Sequence, residues 1–230
     1  LCHLVTPGLA AAGAALLLTS PYTPMLFMGE EWAASTPWRY FSDFPDERLG
    51  DQVRAGRRAE FARFGWDATD VPDPQDPETR EVSVLDWTEP GRGVHALILR
   101  WHRDLIRLRR NLDGKTRGLM GQHINVFHAN EAGKLIAYHR WDAGGSGDDV
   151  VVVANFANSA RQAYTIGFPH RGAWRVRFNS DLRRYAAEFG NARCPDVIAA
   201  EPPQGTGADG MPAWGNIAVG PYSALILSQD

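Results

Sequence analysis

The spacing of hydrophobic positions along the chain changes near residue 118. In residues 95–112 the apolar side chains recur at helical spacing, as Leu97, Ile98, Trp101, Leu105, Ile106 and Leu108. Beyond residue 118, short runs of β-branched and aromatic residues alternate with Gly, Asp and Asn. The pattern predicts two domains: residues 1–117, which contain helices, and residues 118–230, which are built from strands.

The first domain is predicted to contain three helices. Residues 1–19 read as the end of a helix that Ser20 and Pro21 terminate. Residues 51–64 form a second helix with Asp51 as its N-cap. Its arginines, Arg54, Arg57 and Arg58, favour a solvated face over a phosphate site. The third helix is residues 95–112, with basic residues in its last turns, where cations oppose the helix dipole.

Residues 25–28 form a continuous apolar run of strand length between Pro24 and Gly29. Such a run is typical of a strand that is buried on both faces in a parallel sheet. The helix at residues 95–112 is predicted to pack its apolar face on this strand. Residues 66–90 are rich in proline, which fixes φ, and are predicted to be an extended surface segment.

The second domain is predicted to be an antiparallel β-sandwich. Its candidate strands are residues 124–128, 134–141, 149–155, 163–168, 174–179 and 223–228. Residues 150–153 have no polar interruption, which predicts a central strand, and residues 144–148 predict a hairpin turn. Residues 190–215, rich in Gly, Pro and Ala, are expected to form a long loop of unspecified conformation.

Several ordered motifs in the first half resemble one enzyme family. Residues 20–32 read SPYTPMLFMGEEW, residues 36–44 read TPWRYFSDF, and residues 53–61 read VRAGRRAEF. This series resembles the last strand and helix of a barrel of the α-amylase superfamily. With VPDPQDP at residues 71–77 and SVLDW at residues 83–87, it is most similar to the malto-oligosyltrehalose trehalohydrolases. The resemblance implies an α/β plus all-β fold: the C-terminal end of a (β/α)8 barrel followed by the sandwich.

The second half resembles a different subgroup of the same superfamily. It is similar to the C-terminal all-β domain of bacterial α-amylases and glucan branching enzymes. The motifs that carry this resemblance are NVFH at 125–128, AYHRW at 137–141, VVVANF at 151–156, WRVRFNSD at 174–181 and GPYSALIL at 220–227. The alternatives for the complete enzyme are therefore a retaining hydrolase that releases trehalose from malto-oligosyl trehalose, an α-amylase, or a 1,4-α-glucan branching enzyme. A non-catalytic carbohydrate-binding or scaffold module is the alternative from another class.

The substrate-binding candidates follow the apolar run at residues 25–28. The carboxyl ends of barrel strands carry the chemistry in α/β barrels, and the resemblance implies a sugar subsite formed by Glu30, Glu31, Trp32, Trp38 and Tyr40. Aromatic rings suit sugars because pyranose faces present apolar C–H surfaces.

Simpler structural roles compete with sugar binding at several of these positions. The two glutamates are also consistent with a solvated or capping role. For Trp38 and Tyr40, sugar binding and burial against the barrel are equally favoured, whereas for Phe44 burial is favoured.

No catalytic residue is predicted in this chain. Retaining glycosidases need two carboxyl groups that flank the scissile bond, and in the resembled family these lie on earlier barrel strands, whose motifs match no stretch here. Asp86 and Asp142 are isolated carboxylates and are predicted to be structural. His123, His128 and His139 lack the ligand constellation of a zinc site. We therefore expect no metal and no cofactor.

Composition narrows the class of protein and of partner. The 230 residues are 44% hydrophobic and 22% charged with a net charge of −3, which is typical of a globular protein and gives no basis for binding nucleic acid or anionic membrane. Without a secretion-signal pattern, and with only Cys2 and Cys194 as thiols, a reducing cytoplasm is expected, with both thiols free. The chain begins at Leu1 within a predicted helix, so we expect a fragment of a longer enzyme.

Overall fold

The computed structural model describes residues 4–202 and 208–230. Leu1 and Cys2, and with Cys2 the prediction of its free thiol, lie outside this range, as does part of the loop predicted at residues 190–215. The structure divides into two compact units. The first comprises the described parts of Leu1–Ala33 and Pro90–Asp230, and the second comprises Ala34–Glu89.

The first unit contains two antiparallel sheets. Its strands are β1 (His123–Asn130), β2 (Leu135–Trp141), β3 (Val150–Asn155), β4 (Arg161–Phe168), β5 (Gly172–Asn179), β6 (Val197–Ala199), β7 (Ala213–Val219) and β8 (Ser223–Ser228). One sheet has six strands in the order β1-β2-β3-β8-β5-β6, and the other pairs β4 with β7. All pairings are antiparallel, which confirms the all-β architecture predicted for this part of the chain.

An apolar core lies between the two sheets. Side chains from alternate positions of β2, β3 and β8 pack on those of β4 and β7. The buried residues of this core are Leu135, Ala137, Val151, Val153, Ile166, Phe168, Trp174, Val197, Ala199, Ala213, Ile217, Val219, Leu225 and Leu227. The alternation follows from the two-residue period of a strand. β3 is buried along its whole length between β2 and β8, as the uninterrupted apolar run predicts.

The opposite face of the six-stranded sheet is covered by helices α1 (Pro7–Thr19) and α4 (Gly93–Arg109). α1 contributes small side chains such as Ala11 and Ala15, which permit close approach, and α4 contributes Trp101 and Leu105. Both predicted helices are therefore present, and the apolar stripe of α4 is buried. Its predicted partner, however, is wrong, because the stripe packs on α1 and on the sheet.

The strand predicted at residues 25–28 is absent. These residues belong to no strand, and 86% of Met25 and 54% of Phe27 is exposed. A strand requires partners for its backbone N–H and C=O groups. None of the eight strands formed by residues 4–202 and 208–230 pairs with this segment, so the apolar run joins no sheet and is largely exposed.

The second unit contains helices α2 (Glu47–Ala62) and α3 (Pro77–Glu81). α2 begins before the predicted N-cap, because the Asp46 side chain accepts the N–H groups of Arg48 and Leu49, whereas Asp51 pairs with Arg54. α3 lies within the segment predicted to be extended. With only five residues it is too short to produce a periodic pattern.

The long loop predicted at residues 190–215 contains one short strand and the start of another. β6 pairs with β5, and an isolated bridge joins Ala200 to Trp214 next to β7. Between β2 and β3 the predicted hairpin turn is present, with positive φ angles of 87° at Gly144 and 98° at Gly145. Glycine is favoured there because it lacks the Cβ that makes such angles costly.

Candidate functional site

The two candidate glutamates lie in a tight turn of the first unit. Residues Glu30–Trp32 form a single 3-10 turn after Gly29, which has a φ of 80°. The Phe27 N–H donates to the Glu30 carboxylate at 3.0 Å, which closes the turn on itself. Both Glu30 and Glu31 are half-buried. The turn therefore places two carboxylates at the end of the exposed apolar segment, and this hydrogen bond holds that of Glu30.

Trp32 and α4 anchor this turn. The Trp32 side chain is buried at 2% exposure, and its backbone oxygen lies 2.9 Å from Nδ1 of His95. Deeper in α4, burial lowers the pKa of His102, while the nearby charges of Glu30 and Glu31 act in the opposite direction. Trp32 is therefore the buried residue of the turn, whereas Glu30 and Glu31 remain partly accessible to solvent.

The two aromatic candidates lie in the second unit, on a segment that backbone hydrogen bonds hold in place. The Arg39 N–H donates to Ser83 Oγ at 3.0 Å, and the Ser42 N–H donates to the Pro74 oxygen at 2.7 Å. Because the backbone is fixed on both sides of Tyr40, the orientations of its neighbours along the segment are restricted. Trp38 is 49% exposed and Tyr40 is 37% exposed, whereas Phe44 is half-buried.

Trp38 and Tyr40 line a cavity of about 390 Å³ within the second unit. The other lining residues are Arg39, Arg57, Phe61, Trp66, Asp70, Val71 and Pro72. The Arg57 guanidinium carbon lies 4.9 Å from the Tyr40 ring centroid and 4.7 Å from that of Phe61. Phe61 in turn lies 5.1 Å from Trp66, with ring planes tilted by 54°. The cavity is thus built from rings with one cation inserted between them.

The arginine face of α2 is occupied by partners within the second unit. Arg54 forms ion pairs with Asp73 at 2.6 Å and Asp51 at 2.5 Å, and the hydrogen bond that its guanidinium donates to Asp73 raises the pKa of the guanidinium. Arg57 pairs with Glu60 at 2.8 Å besides its contacts with the rings. Arg54 and Arg57 are thus engaged with carboxylates of their own unit, and the solvated arginine face stays a prediction. Arg57, Trp66 and Asp70 were not predicted as site residues. The helical spacing of Arg57 and Phe61 places both on one face of α2, whereas no sequence pattern links Trp66 and Asp70 to the cavity.

The isolated aspartates have structural partners. Asp86 Oδ1 accepts the Thr88 N–H at 2.8 Å, and Asp142 pairs with Arg117 at 2.8 Å. Across the described residues, no group of three or more His, Cys, Asp or Glu side chains is arranged to hold a metal ion. Likewise, no helix in the described ranges is long and apolar enough to cross a membrane.

Comparison with known proteins shows which proteins this chain is similar to. Residues 126–230 match the family model described as the alpha amylase C-terminal all-beta domain. The predicted resemblance to the α-amylase superfamily is confirmed. A malto-oligosyltrehalose trehalohydrolase of Arthrobacter ramosus is 57% identical over 108 residues, which cover 47% of this chain and 19% of that protein. One from Rhizobium sp. (strain M-11) is 45% identical over 151 residues, covering 66% of this chain and 24% of that protein.

More distant relatives extend the comparison. The 1,4-alpha-glucan branching enzyme GlgB of Rhodospirillum rubrum is 27% identical over 176 residues, covering 62% of this chain and 23% of that protein. A solved structure of a candidate alpha amylase from Salmonella typhimurium has a TM-score of 0.64 at 24% identity, covering 99% of this chain and 32% of that one, and shows that the fold is shared. The match spans about a fifth to a quarter of the length of the curated relatives.

Proposed function

We propose that this chain is the C-terminal part of an α-glucan-processing glycoside hydrolase, and that the complete enzyme is a malto-oligosyltrehalose trehalohydrolase. Such an enzyme releases trehalose from malto-oligosyl trehalose with retention of configuration. The observation that carries the proposal is the 57% identity to the Arthrobacter ramosus enzyme over nearly half of this chain. On this proposal the complete enzyme contains a (β/α)8 barrel whose last helices lie within residues 1–117, and the active enzyme works in the cytoplasm.

The proposed site residues act on substrate position and not on bond cleavage. We propose a glucan contact for Glu30 and Glu31 in the first unit, where Trp32 supports the turn, and separately one for Trp38 and Tyr40 in the second unit. Retaining cleavage uses two carboxyl groups roughly 5–5.5 Å apart that flank the scissile bond. The proposal assigns that pair to the part of the enzyme that precedes this chain, so the isolated chain has no catalytic residue.

The experiment compares the isolated chain with a longer polypeptide that includes the upstream sequence. We expect the longer polypeptide to release trehalose from maltotriosyl trehalose faster than it cleaves maltotriose. We expect the isolated chain to release neither glucose nor trehalose above the buffer background, because removal of the catalytic groups removes most of the rate enhancement.

Other products would contradict the trehalose assignment. New α-1,6 branches would support a branching enzyme, which the likeness to GlgB makes the second candidate. Random internal cleavage of starch would support an α-amylase, as the match of residues 126–230 suggests. Trehalose release by the isolated chain would show that the catalytic groups have been misassigned.

A further inference from the structure

We propose that the cavity of the second unit is a glucan-binding site in its own right, and that it holds a sugar chain without the catalytic machinery. Trp66, Asp70 and Arg57 are assigned to this site together with Trp38 and Tyr40. Its volume of about 390 Å³ lies within the range of roughly 300–1,000 Å³ typical of small-molecule sites. All of its lining residues belong to Ala34–Glu89, so this unit forms the site by itself.

The ring surfaces of the cavity fit the apolar face of a pyranose. Trp38 is 49% exposed and Trp66 is 51% exposed, so each presents a large indole surface to a ligand. One side of Trp66 packs toward Phe61, which limits the movement of the ring. Rigid aromatic rings lose little conformational entropy on binding, so ordering such a site costs little.

The stacking of Arg57 makes the cavity polar at its edge. The guanidinium lies over the Tyr40 and Phe61 rings, and its ion pair with Glu60 uses one of its nitrogens. Arginine carries five N–H donors in a fixed plane, so donors remain for hydroxyl oxygens. A cation held between rings and paired with a carboxylate is positioned to donate hydrogen bonds with little reorganisation.

Two further polar groups lie at the cavity without competing partners. Among the residues that the structure describes, neither the Asp70 carboxylate nor the Arg39 guanidinium has a side-chain hydrogen bond or ion pair, although both line the cavity. A carboxylate accepts hydrogen bonds from hydroxyl groups, and a guanidinium donates to them. Together they complement the two hydrogen-bonding roles of a sugar hydroxyl.

The balance of charge favours a neutral ligand. The cavity is lined by Arg39, Arg57 and Asp70, and Glu60 neutralises Arg57, so the local charges nearly cancel. The Asp70 carboxylate would repel a phosphate or other anion and offset its attraction to Arg39, and the Arg57 guanidinium is already paired with Glu60. A neutral polyhydroxylated ring meets no such penalty. The choice of an α-glucan among such ligands rests on the proposed function.

Titration calorimetry of the chain with maltoheptaose tests the site. We expect Trp66→Ala to weaken binding by about tenfold or more, as truncation of a central aromatic contact does, and Asp70→Asn to weaken it as well. Trp87→Ala is the matched control, because Trp87 is 72% exposed and lies outside the cavity. We expect this control to bind as the unchanged chain does. Urea unfolding of each variant verifies that it is folded.

Three results would overturn the inference. They are binding of inorganic phosphate but not of maltoheptaose by the unchanged chain, binding of neither probe, and unchanged maltoheptaose binding in both Trp66→Ala and Asp70→Asn. Trehalose release by the longer polypeptide is measured separately. If the chain does not bind maltoheptaose but the longer polypeptide releases trehalose, only this site is rejected. If the chain binds maltoheptaose but the longer polypeptide releases no trehalose, only the proposed reaction is rejected.

Discussion

Asp149 is a buried residue that joins three parts of the β-sheet unit. One carboxylate oxygen lies 2.8 Å from Nε2 of His139 in β2, and the other lies 2.8 Å from Nε2 of His170 in the connection between β4 and β5. The Gly145 N–H of the hairpin turn also donates to it, at 2.9 Å. Burial alone would raise the pKa of Asp149, but the hydrogen bonds from His139 and Gly145 outweigh it, so the pKa lies below its usual range.

A carboxylate whose pKa is lowered by folding stabilises the native state above its ordinary pKa, and this contribution is lost as the pH falls through the lowered value. We therefore expect Asp149→Asn to reduce the free energy of unfolding at pH 7 by about 1–3 kcal/mol, because buried donors lose their charged acceptor. The difference from the unchanged chain should shrink below pH about 4. Urea titrations at pH 7 and pH 3 measure it.

The neighbouring Asp142→Asn is the control for this measurement. Asp142 pairs with Arg117 at a solvent-exposed position, with 43% of its side chain exposed, and such pairs contribute about 0–1 kcal/mol. A destabilisation by Asp149→Asn that is the same at pH 7 and pH 3 would show that the ionised carboxylate contributes nothing.

At the residue scale, the sequence indicates which side chains can bind a ligand better than it indicates which side chains contact one another in the folded chain. Trp38 and Tyr40 were identified from the aromatic loop, and both line the cavity. Trp66 and Asp70 were missed because they follow α2 in a segment without periodicity, so their approach to Tyr40 depends on the folding of the chain. Trp32 is buried although it directly follows two half-buried carboxylates, and local sequence carries no signal for that difference.

At the scale of elements, two arginines hold the C-terminal end of α1. Arg109 of α4 donates to the backbone oxygens of Leu18 and Ser20 at 2.8 and 2.7 Å. Arg140 of β2 donates to the Thr19 oxygen and, at 2.6 Å, to that of Gly121. Cations are favourable at this end because the last carbonyls of a helix are unpaired and carry partial negative charge. These contacts fix α1 to α4 and to the six-stranded sheet.

Arg140 is fully buried, and burial lowers the pKa of its guanidinium. We expect Arg140→Met to reduce the free energy of unfolding by about 3 kcal/mol or more, because several buried carbonyls lose their donor at once. Arg117→Met is the matched control, since Arg117 is 59% exposed and forms an exposed ion pair that is worth about 0–1 kcal/mol. Equal urea midpoints for the two variants would contradict this role of Arg140.

The elements predicted correctly are those whose pattern is local. Six strands and the two long helices of the first unit follow from hydrophobic period, whereas β6, with three residues, is too short to show one. The segment at residues 25–28 has the composition of a buried strand, but strand formation depends on a neighbouring strand that its own sequence does not specify. The basic residues in the last turns of α4 were assigned to the dipole of that helix, yet one of them, Arg109, donates to the end of α1.

At the scale of the whole molecule, the change of hydrophobic pattern near residue 118 marks where helices give way to strands. It does not mark a boundary between the two compact units. α1 and α4 form a layer on the six-stranded sheet, and both belong to the same compact unit as all eight strands. An amphipathic stripe shows that one face of a helix is buried but does not specify what covers it. The domain boundary between residues 117 and 118 accordingly stays a prediction.

The proposed place of this chain within a trehalose-releasing enzyme is tested most directly by a graft. The 108-residue region of the Arthrobacter ramosus enzyme that aligns with this chain is replaced by the matching residues of the chain, and trehalose release from maltotriosyl trehalose is measured. We expect activity within about tenfold of the parent enzyme, a change in barrier near 1.4 kcal/mol. The corresponding region of the Rhodospirillum rubrum branching enzyme serves as the control graft and should not support this reaction. A folded graft of this chain that releases no trehalose would contradict the account.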